Sequence, residues 1–370
     1  MRIAYDVSHL NHEKLSGVGV YTLELMKALR GLPGLDLVPV FRPSRWKHRH
    51  FFKMHAGEAR PWLAGGVGLH ADVVHGPDFR VSRSWRSARV ASIMDLAFLK
   101  PGMTSPEFAA KKKRDLDRLL DQQTPEALIA ISQDTARNLS DYRPHLAGRI
   151  HTALLGGDHF QFNAPADTVT GKSARPYFLF VGNLEARKNV LGLLAAFERF
   201  AQTTSEIELV LIGKPGFEGE HILKAIEQSP ARNRIRVVGY TPLRELHASY
   251  SQALALVYPS FIEGFGIPVL EAMQLGCPVI TSSTTATAEV VGDTGWTIEP
   301  SDIDGIAQAM RKVANLSEPE RRGAVEKARQ RAATFTWKKC AEETVTVYQK
   351  AIDRRANSSV KHAAGTLSKV

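Results

Sequence analysis

Short apolar runs alternate with longer amphipathic segments along most of the chain. The runs are rich in Val, Ile, Leu and Phe and predict buried strands, whereas the segments between them repeat apolar residues at the helical period. This rhythm predicts parallel sheets with helices on both faces. The predicted strands are residues 2–7, 37–41, 72–75, 88–94, 127–132 and 149–155, then 177–181, 208–213, 234–238, 253–258 and 279–281. We therefore expect an α/β fold with doubly wound parallel sheets.

The length of the chain predicts two domains. A chain of 370 residues is too long for one ordinary core. Residues 163–175 are rich in Ala, Thr, Pro and Gly without periodicity, and this composition indicates a linker. We expect domains at residues 1–165 and 174–335, a C-terminal helix at 336–354, and a small, basic, disordered tail at 355–370.

A strand, a glycine loop and a helix follow one another before Gly276. Glu263 lies in the loop, and Glu271 lies about one turn into the helix, on its apolar flank. A carboxylate on such a flank is costly to bury unless a partner bonds to it. The amides around Gly266 open the helix, and a helix N-terminus attracts anions such as phosphate. This stretch is the first candidate site.

Two cations stand at an unfavourable place near the start of the helix predicted at residues 190–202. Arg187 and Lys188 precede it, where the helix dipole disfavours positive charge. A broken local rule of this kind often marks a functional site. A bound anion would resolve the conflict.

Two other motifs suggest cofactors that we do not expect. Gly17 and Gly19 form a GxG between a predicted strand and a helix at residues 21–30, but no third glycine follows and no acid ends the second strand. NAD binding is therefore excluded. The Asp302-Ile303-Asp304 motif is similar to a DxD metal signature, but we interpret it as a helix start capped by Ser301. No metal is expected.

Composition indicates an ordinary globular protein, with 44% hydrophobic and 23% charged residues. No apolar run reaches the ~18 residues of a membrane helix, and the N-terminus has a strand pattern rather than a secretion signal. Only two cysteines occur, which fits a reducing cytoplasm.

The net charge of +10 favours polyanionic partners. Because zinc-finger spacings and RNA-binding aromatic motifs are absent from the sequence, we do not expect nucleic acid. Segment 42–55, from Arg42 to His55, combines cations with Trp46 and two phenylalanines. It is either a solvated basic loop or a peripheral contact with anionic membrane, which the KKKR run from Lys111 to Arg114 would extend.

The run EGFGIPVLEAMQLGCPVI resembles the E-x7-E signature of retaining GT-B glycosyltransferases of family GT4, glycosyltransferases group 1. Two further segments, FVGNLEARKN and GVGVY, are similar to the corresponding segments of bacterial mannosyltransferase-type members. The resemblance covers most of residues 1–350. It implies two Rossmann-like domains facing across a cleft, with the last helix crossing back to the first. It also implies a nucleoside-diphosphate sugar as donor, GDP-mannose first and UDP- or dTDP-hexoses next. The acceptor would be a lipid-linked or polysaccharide glycan, at the inner face of the cytoplasmic membrane.

The resemblance also assigns roles to residues. Glu263 would face the donor sugar, Glu271 would take the ribose hydroxyls, and Arg187 and Lys188 would hold the diphosphate without a metal. Further donor contacts are expected at Gly17, Gly19, Gly182, Asn183, Gly239, Tyr240, Gly264, Phe265, Gly266, Ile267, Val269 and Leu270.

The sequence departs from the family pattern at Met94, where many relatives carry a histidine. Asp95, as a catalytic residue, or His75, on the acceptor side, would compensate. Two other functions remain open: an epimerase or phosphorylase on the same architecture, and a sugar-nucleotide-binding protein without catalysis.

Overall fold

The computed structural model describes residues 1–63, 69–159, 175–239 and 241–367, with side chains as far as residue 358. Its contacts divide the chain into two compact units. Unit 1 comprises Met1–Leu96, Ala110–His159 and Thr336–Val370, and unit 2 comprises Ala97–Ala109 and Phe160–Phe335. The predicted linker lies almost entirely outside the described residues.

Unit 1 is built on a seven-stranded parallel sheet in the order β3-β2-β1-β4-β5-β6-β7. Its strands are mostly apolar because helices cover both faces. The strands are β1 (Arg2–Asp6), β2 (Asp36–Phe41), β3 (Arg60–Pro61), β4 (Val73–Gly76), β5 (Ala88–Ile93), β6 (Ala127–Ala130) and β7 (Ile150–Thr152). The helices up to this point are α1 (Gly17–Arg30), α2 (Arg49–Ala56), α3 (Pro106–Asp117) and α4 (Gln133–Tyr142).

Unit 2 repeats this plan with six parallel strands in the order β10-β9-β8-β11-β12-β13. Its strands are β8 (Tyr177–Val181), β9 (Glu208–Ile212), β10 (Ile235–Val238), β11 (Ala255–Tyr258), β12 (Val279–Ser282) and β13 (Trp296–Ile298). Its helices are α5 (Val190–Ala201), α6 (Gly219–Glu227), α7 (Leu243–Gln252), α8 (Ile267–Leu275), α9 (Ala286–Val291), α10 (Ile303–Ala314) and α11 (Glu318–Ala332). The predicted fold class, two doubly wound parallel sheets, is confirmed.

The last helix, α12 (Trp337–Leu367), packs within unit 1 against α1, β5 and β6. It continues to Leu367 instead of ending at Arg354, so the segment predicted as a disordered tail is helical over most of its length. The physical reason is the sequence itself, because no proline interrupts it and Gly365 is its first glycine. Among the described residues, we find no helix with the length and apolar character needed to cross a bilayer.

The glycine motif near the N-terminus is not the predicted loop. Gly17 opens α1, and the hydroxyl of Ser16 accepts a hydrogen bond from the Gly19 amide (3.3 Å). A Cβ at Gly19 would lie 3.0 Å from Cβ of Leu15, whereas one at Gly17 would meet open space. The helix therefore begins earlier than its apolar periodicity indicates, and Gly19 serves close packing.

Candidate active site

The cluster of charged residues in unit 2 lies where the strand order of its sheet reverses. β8 and β11 are neighbours in the sheet, although β9 and β10 lie between them in the chain. At such a switch point the connections after the two strands diverge, which leaves a crevice at the carboxyl edge. Gly182 follows β8, and Tyr258 is the last residue of β11.

Lys188, Glu263 and Tyr258 meet at this edge. The Lys188 ammonium donates to Oε2 of Glu263 (3.2 Å) and to the hydroxyl of Tyr258. The Tyr258 hydroxyl also donates to the same carboxylate oxygen (3.1 Å). Lys188 is only 6% exposed, so its charge depends on these partners.

Backbone geometry places the lysine. Gly182 has φ 141°, and a Cβ there would lie 3.2 Å from Cε of Lys188. The absence of a side chain at Gly182 therefore leaves the space along which the lysine runs. Asn189 follows in the left-handed conformation (φ 55°), caps α5 by accepting from the Gly192 amide (3.2 Å), and donates to the Pro300 carbonyl (2.6 Å).

Arg187 completes a charge-balanced cluster. Its guanidinium pairs with Glu185 (2.8 Å) and with Glu263 (3.3 Å), and its carbonyl accepts from the Phe261 amide (2.9 Å). Two carboxylates thus face the two cations. The positive pocket expected from the sequence is neutralised in this structure, because cations removed from water need counter-charges.

Burial and charge act in opposite directions on the pKa values of Lys188 and Glu263. Burial raises the pKa of Glu263, but Lys188 and Arg187 together hold it below its usual value. Burial lowers the pKa of Lys188, and Glu263 opposes that shift. A carboxylate held in this way is a weak proton acceptor.

Glu271 lies on α8 and is buried in different surroundings. Its Oε2 accepts from the Tyr250 hydroxyl on α7 (2.7 Å), the kind of partner that a carboxylate on an apolar flank requires. Burial raises the pKa of Glu271 to about 7, although the tyrosine bond partly opposes the shift.

The start of α8 is shaped by Gly266. This residue has φ 105°, and a Cβ there would lie 2.7 Å from Cγ2 of Thr287. Gly264 precedes it, and Ile267 opens the helix before Pro268. The loop therefore brings backbone close to α9, which a side chain at Gly266 would prevent.

Three neighbours expected to contact donor are packed into the core of unit 2. Val269 and Leu270 are fully buried, and both of their amides donate to the Gly266 carbonyl (3.0 and 3.2 Å). Phe265 is buried edge-to-face against Phe335. The helix start uses these side chains for packing and both amides for its own hydrogen bonds, and the donor contacts of Phe265, Val269 and Leu270 stay predictions.

Comparison with known proteins decides the family. Residues 167–331 match the family model described as "Glycosyl transferases group 1". O-antigen chain mannosyltransferase B of Escherichia coli is 30% identical, over 94% of this chain and 100% of that protein. The chain belongs to the glycosyl transferases group 1 family. It is therefore a transferase enzyme.

Solved structures share the fold of this glycosyltransferase. Sucrose-phosphate synthase of Thermosynechococcus elongatus superposes with a TM-score of 0.69 at 19% identity, covering 95% of this chain and 98% of that one. Anabaena HepE, solved in complex with UDP and glucose, gives 0.65 at 16% identity, with 100% of both chains covered. These likenesses establish two Rossmann-like α/β domains of the GT-B class.

In unit 1 of the glycosyltransferase, His75 is enclosed by other residues. The ring is fully buried, with Nδ1 2.7 Å from the Tyr348 hydroxyl and Nε2 2.8 Å from the Ser92 hydroxyl. Burial lowers its pKa to about 3, so the ring is neutral. Both ring nitrogens are thus engaged with α12 and with the neighbouring strand β5, and the acceptor-side role of His75 stays a prediction.

Other predicted residues occupy accessible places. Asp95 follows β5 beside Met94, and both are half-buried. Asn183 and Gly239 are exposed after β8 and β10. Their roles stay predictions, and Tyr240 lies outside the described residues.

The basic segment 42–55 is partly helical, through a 3₁₀ turn at Pro43–His48 and α2. Trp46 is 53% exposed, whereas Phe52 is buried. Arg42 turns inward to Asp6 (3.4 Å). In the 111–114 run, Lys112 pairs with Asp78 (3.4 Å) and Lys113 with Asp117 (2.7 Å), so less of its charge is available to a partner.

Asp302, rather than Ser301, caps α10 by accepting from the Gly305 amide (2.9 Å). Asp304 pairs with Arg199. Both carboxylates of the DxD motif are thus used by the helix start and its neighbour.

Sequence reasoning missed three members of the site: Glu185, Tyr250 and Tyr258. Tyr258 carried a usable signal, since it ends a strand directly before Pro259 and so lies at the ligand-binding edge. Glu185 stands two residues before Arg187 in the same turn. Tyr250 has no such local signal, because its contact with Glu271 depends on how α7 packs against α8.

Proposed function

We propose that this enzyme moves a hexose from a nucleoside-diphosphate sugar to a glycan acceptor, with retention of configuration. GDP-mannose is the first donor candidate. The observation that carries the proposal is the buried cluster of Arg187, Lys188, Glu263 and Tyr258 at the switch point of unit 2.

The two cations would hold the donor diphosphate. In the structure they bond to carboxylates, and an arriving diphosphate would exchange those bonds for bonds to phosphate oxygens. Charge grows on the leaving phosphate as the sugar bond breaks, so these contacts strengthen in the transition state. Each one would lower the barrier by ~2–4 kcal/mol. We propose that they do the work of a metal ion.

Glu271 would accept hydrogen bonds from the ribose hydroxyls, and Glu263 would face the sugar. The bond from the anomeric carbon to the phosphate oxygen breaks, and a bond to the acceptor oxygen forms on the same face. The acceptor proton passes to the leaving phosphate. The lowered pKa of Glu263 favours this route, because a carboxylate with a low pKa accepts a proton poorly.

The choice of sugar rests on O-antigen chain mannosyltransferase B, a relative that matches 94% of this chain. We infer mannose as the sugar and a lipid-linked or polysaccharide glycan as the acceptor. A UDP- or dTDP-sugar is the alternative donor, favoured by the HepE neighbour with UDP and glucose.

A donor panel tests the proposal. Purified enzyme is incubated with GDP-mannose, UDP-glucose, ADP-glucose and dTDP-glucose in EDTA, with and without glycan acceptors, and release of nucleoside diphosphate is measured. We expect acceptor-dependent release from GDP-mannose. Lys188→Ala and Glu271→Ala should lose it, whereas Lys224→Ala, an exposed lysine on α6, should not.

Three outcomes would contradict the proposal. Release that stops in EDTA and returns with a divalent cation would show that a metal is required. Conversion of the donor sugar without acceptor would indicate an epimerase. Wild-type turnover by Lys188→Ala and Glu271→Ala would overturn the site.

We also propose that segment 42–55 contacts anionic membrane, which would place the enzyme at the cytoplasmic face of the membrane. Trp46 is exposed, with the Arg49 guanidinium 5.6 Å from its ring centre, an arrangement suited to a headgroup boundary. Flotation with phosphatidylglycerol vesicles at low and high salt tests it. Lys47→Glu with Arg49→Glu should abolish flotation, and a wild-type protein that never floats would end the idea.

A further inference from the structure

A cavity of about 420 Å³ opens on unit 1, between β7 and α12. This volume lies within the range of small-molecule sites. The helix contributes residues spaced by three and four positions, so they form one stripe facing the strand. The lining consists of His151 from β7 and Lys350, Asp353, Arg354, Asn357 and Ser358 from α12.

The electrostatics of the cavity are positive. Burial lowers the pKa of His151, and Lys350 and Arg354 lower it further. Burial also lowers the pKa of the neighbouring Arg149, with Arg354 as the next cause. Positive groups therefore crowd one another here, and a bound anion would relieve the repulsion.

Counter-charge in the cavity is small. Asp353 is the acidic residue of the lining, and its Oδ1 accepts from the Gln349 amide (2.9 Å). Within the part of the chain whose side chains are described, no carboxylate forms an ion pair with Lys350 or Arg354. This is the reverse of the Lys188 cluster, in which two carboxylates balance two cations.

The geometry also fixes one of the cations. Arg354 donates through Nη2 to the Gly148 carbonyl (2.6 Å), just before β7. Its guanidinium is therefore held at the cavity and retains further N–H donors. An arginine so placed suits the oxygens of a phosphate group.

We infer that this cavity binds a phosphate group, through Arg354, Lys350 and His151. The phosphate belongs either to a lipid headgroup or to a free phosphorylated compound. The residues of this cavity all belong to unit 1, whereas the Lys188 cluster belongs to unit 2. The inference does not depend on glycosyl transfer.

Histidine NMR tests the inference on the full-length protein. The His151 signal is assigned by its loss in His151→Gln, and its titration is followed in sodium phosphate and in sodium chloride of equal ionic strength. A bound anion favours the imidazolium, so phosphate should raise the pKa of His151 by about one more than chloride does. Equal titration curves in the two salts would overturn the inference.

Two variants separate binding from general charge effects. In Lys350→Ala/Arg354→Ala, the pKa of His151 should rise even without phosphate, because two cations are gone, and phosphate should add nothing. Lys350→Glu leaves the Arg354 bond to Gly148 in place and should also lose the response. Lys338→Ala/Lys339→Ala removes the same charge near the other end of α12 and should respond like wild type. A retained response in both cavity variants would overturn the inference.

Vesicle flotation then identifies the source of the phosphate. If the lipid headgroup is the ligand, the cavity variants should bind phosphatidylglycerol vesicles more weakly than the Lys338→Ala/Lys339→Ala control. If vesicle binding is unchanged while the phosphate response is lost, the ligand is a free phosphorylated compound. Both outcomes support the cavity as a phosphate site, and neither uses a measurement of glycosyl transfer.

Discussion

Glu263 and Glu271 stand eight positions apart, and both carboxylates are largely withdrawn from solvent, but their surroundings give them opposite properties. Glu263 faces two cations and a phenol, which hold its pKa below the usual value in spite of burial. Glu271 faces one tyrosine hydroxyl, and burial raises its pKa to about 7.

The contrast shows that spacing sets where the two carboxylates lie, whereas packing sets how they titrate. Charges from the turn after β8 decide the behaviour of Glu263. The apolar packing of α7 against α8 decides that of Glu271. Phosphate binding by the Lys188 cluster should therefore be insensitive to pH near neutrality. Ribose binding by Glu271 should depend on pH in that range.

The largest effect should come from removing the cation that Glu263 holds. Lys188→Met keeps the length of the side chain along Gly182 but deletes the charge. We expect kcat for glycosyl transfer to fall about 10³-fold, or about 4 kcal/mol, because under the proposed mechanism the leaving phosphate would lose a buried donor. Steady-state kinetics with the active donor checks this. Lys224→Met, on the exposed face of α6, is the matched control, and equal rates in the two variants would remove Lys188 from the mechanism.

The same substitution at the two glutamates should change stability with opposite sign. Glu271 changes its pKa from about 4.5 to about 7 on folding, which corresponds to about 3 kcal/mol. The folded protein keeps the proton between these values while the unfolded chain releases it, so wild-type stability falls as pH rises through that window. Glu271→Gln should therefore be more stable than wild type at pH 8 by about 3 kcal/mol.

Glu263→Gln should instead be less stable than wild type at pH 8, by roughly 2 kcal/mol, because Lys188 loses its counter-charge. The lowered pKa of Glu263 means that its stabilising effect is present at neutral pH and disappears in acid, so this gap should close as pH falls. Urea unfolding at pH 8 and pH 4 measures both variants. If both substitutions change the free energy of unfolding in the same direction at pH 8, the surroundings of Glu263 and Glu271 do not differ in the way the structure indicates.

The sequence predicted which residues take part in this contrast, but not which side chains they contact. Cations against a helix dipole led to Arg187 and Lys188, and the need for a partner was predicted for Glu271. The partners themselves, Glu185 and Tyr250, were not predicted, since they depend on turn geometry and helix packing. Apolar periodicity identifies a strand or helix without identifying what meets its polar residues.

His75 illustrates the same limit in unit 1. A histidine at the end of an apolar strand has the pattern of a ligand-binding residue, and the sequence alone does not reveal that α12 returns to cover it. Tyr348 comes from 273 positions away and closes Nδ1 from solvent. The fold class followed from local periodicity, whereas the burial of His75 depends on a contact that periodicity does not encode.

Donor binding should follow the titration of Glu271. If the ionised carboxylate accepts hydrogen bonds from ribose, as proposed above, binding should be full above pH 7 and weaken below it. We expect the donor KM to rise about tenfold between pH 8 and pH 6, or about 1.4 kcal/mol. Glu271→Gln should give a raised but pH-independent KM. A wild-type KM that is flat over this range would mean that the carboxylate does not hold the ribose in its ionised form.

The smallest effect should come from Tyr250, whose hydroxyl donates to Glu271 and would act on donor binding only through that carboxylate. Tyr250→Phe removes the hydroxyl that stabilises the carboxylate, so the pKa of Glu271 should rise further. Loss of this bond, about 1 kcal/mol, should raise the donor KM roughly threefold at pH 7 and leave it unchanged at pH 9, where Glu271 is ionised in either protein. Tyr177→Phe is the control, because its hydroxyl donates to the carbonyl of Ser249 (2.8 Å), the residue before Tyr250. A KM defect that persists at pH 9 would indicate damage to α7 rather than a shifted titration. If the midpoint of the KM–pH curve moves equally in Tyr250→Phe and Tyr177→Phe, the Tyr250 hydroxyl does not set the pKa of Glu271.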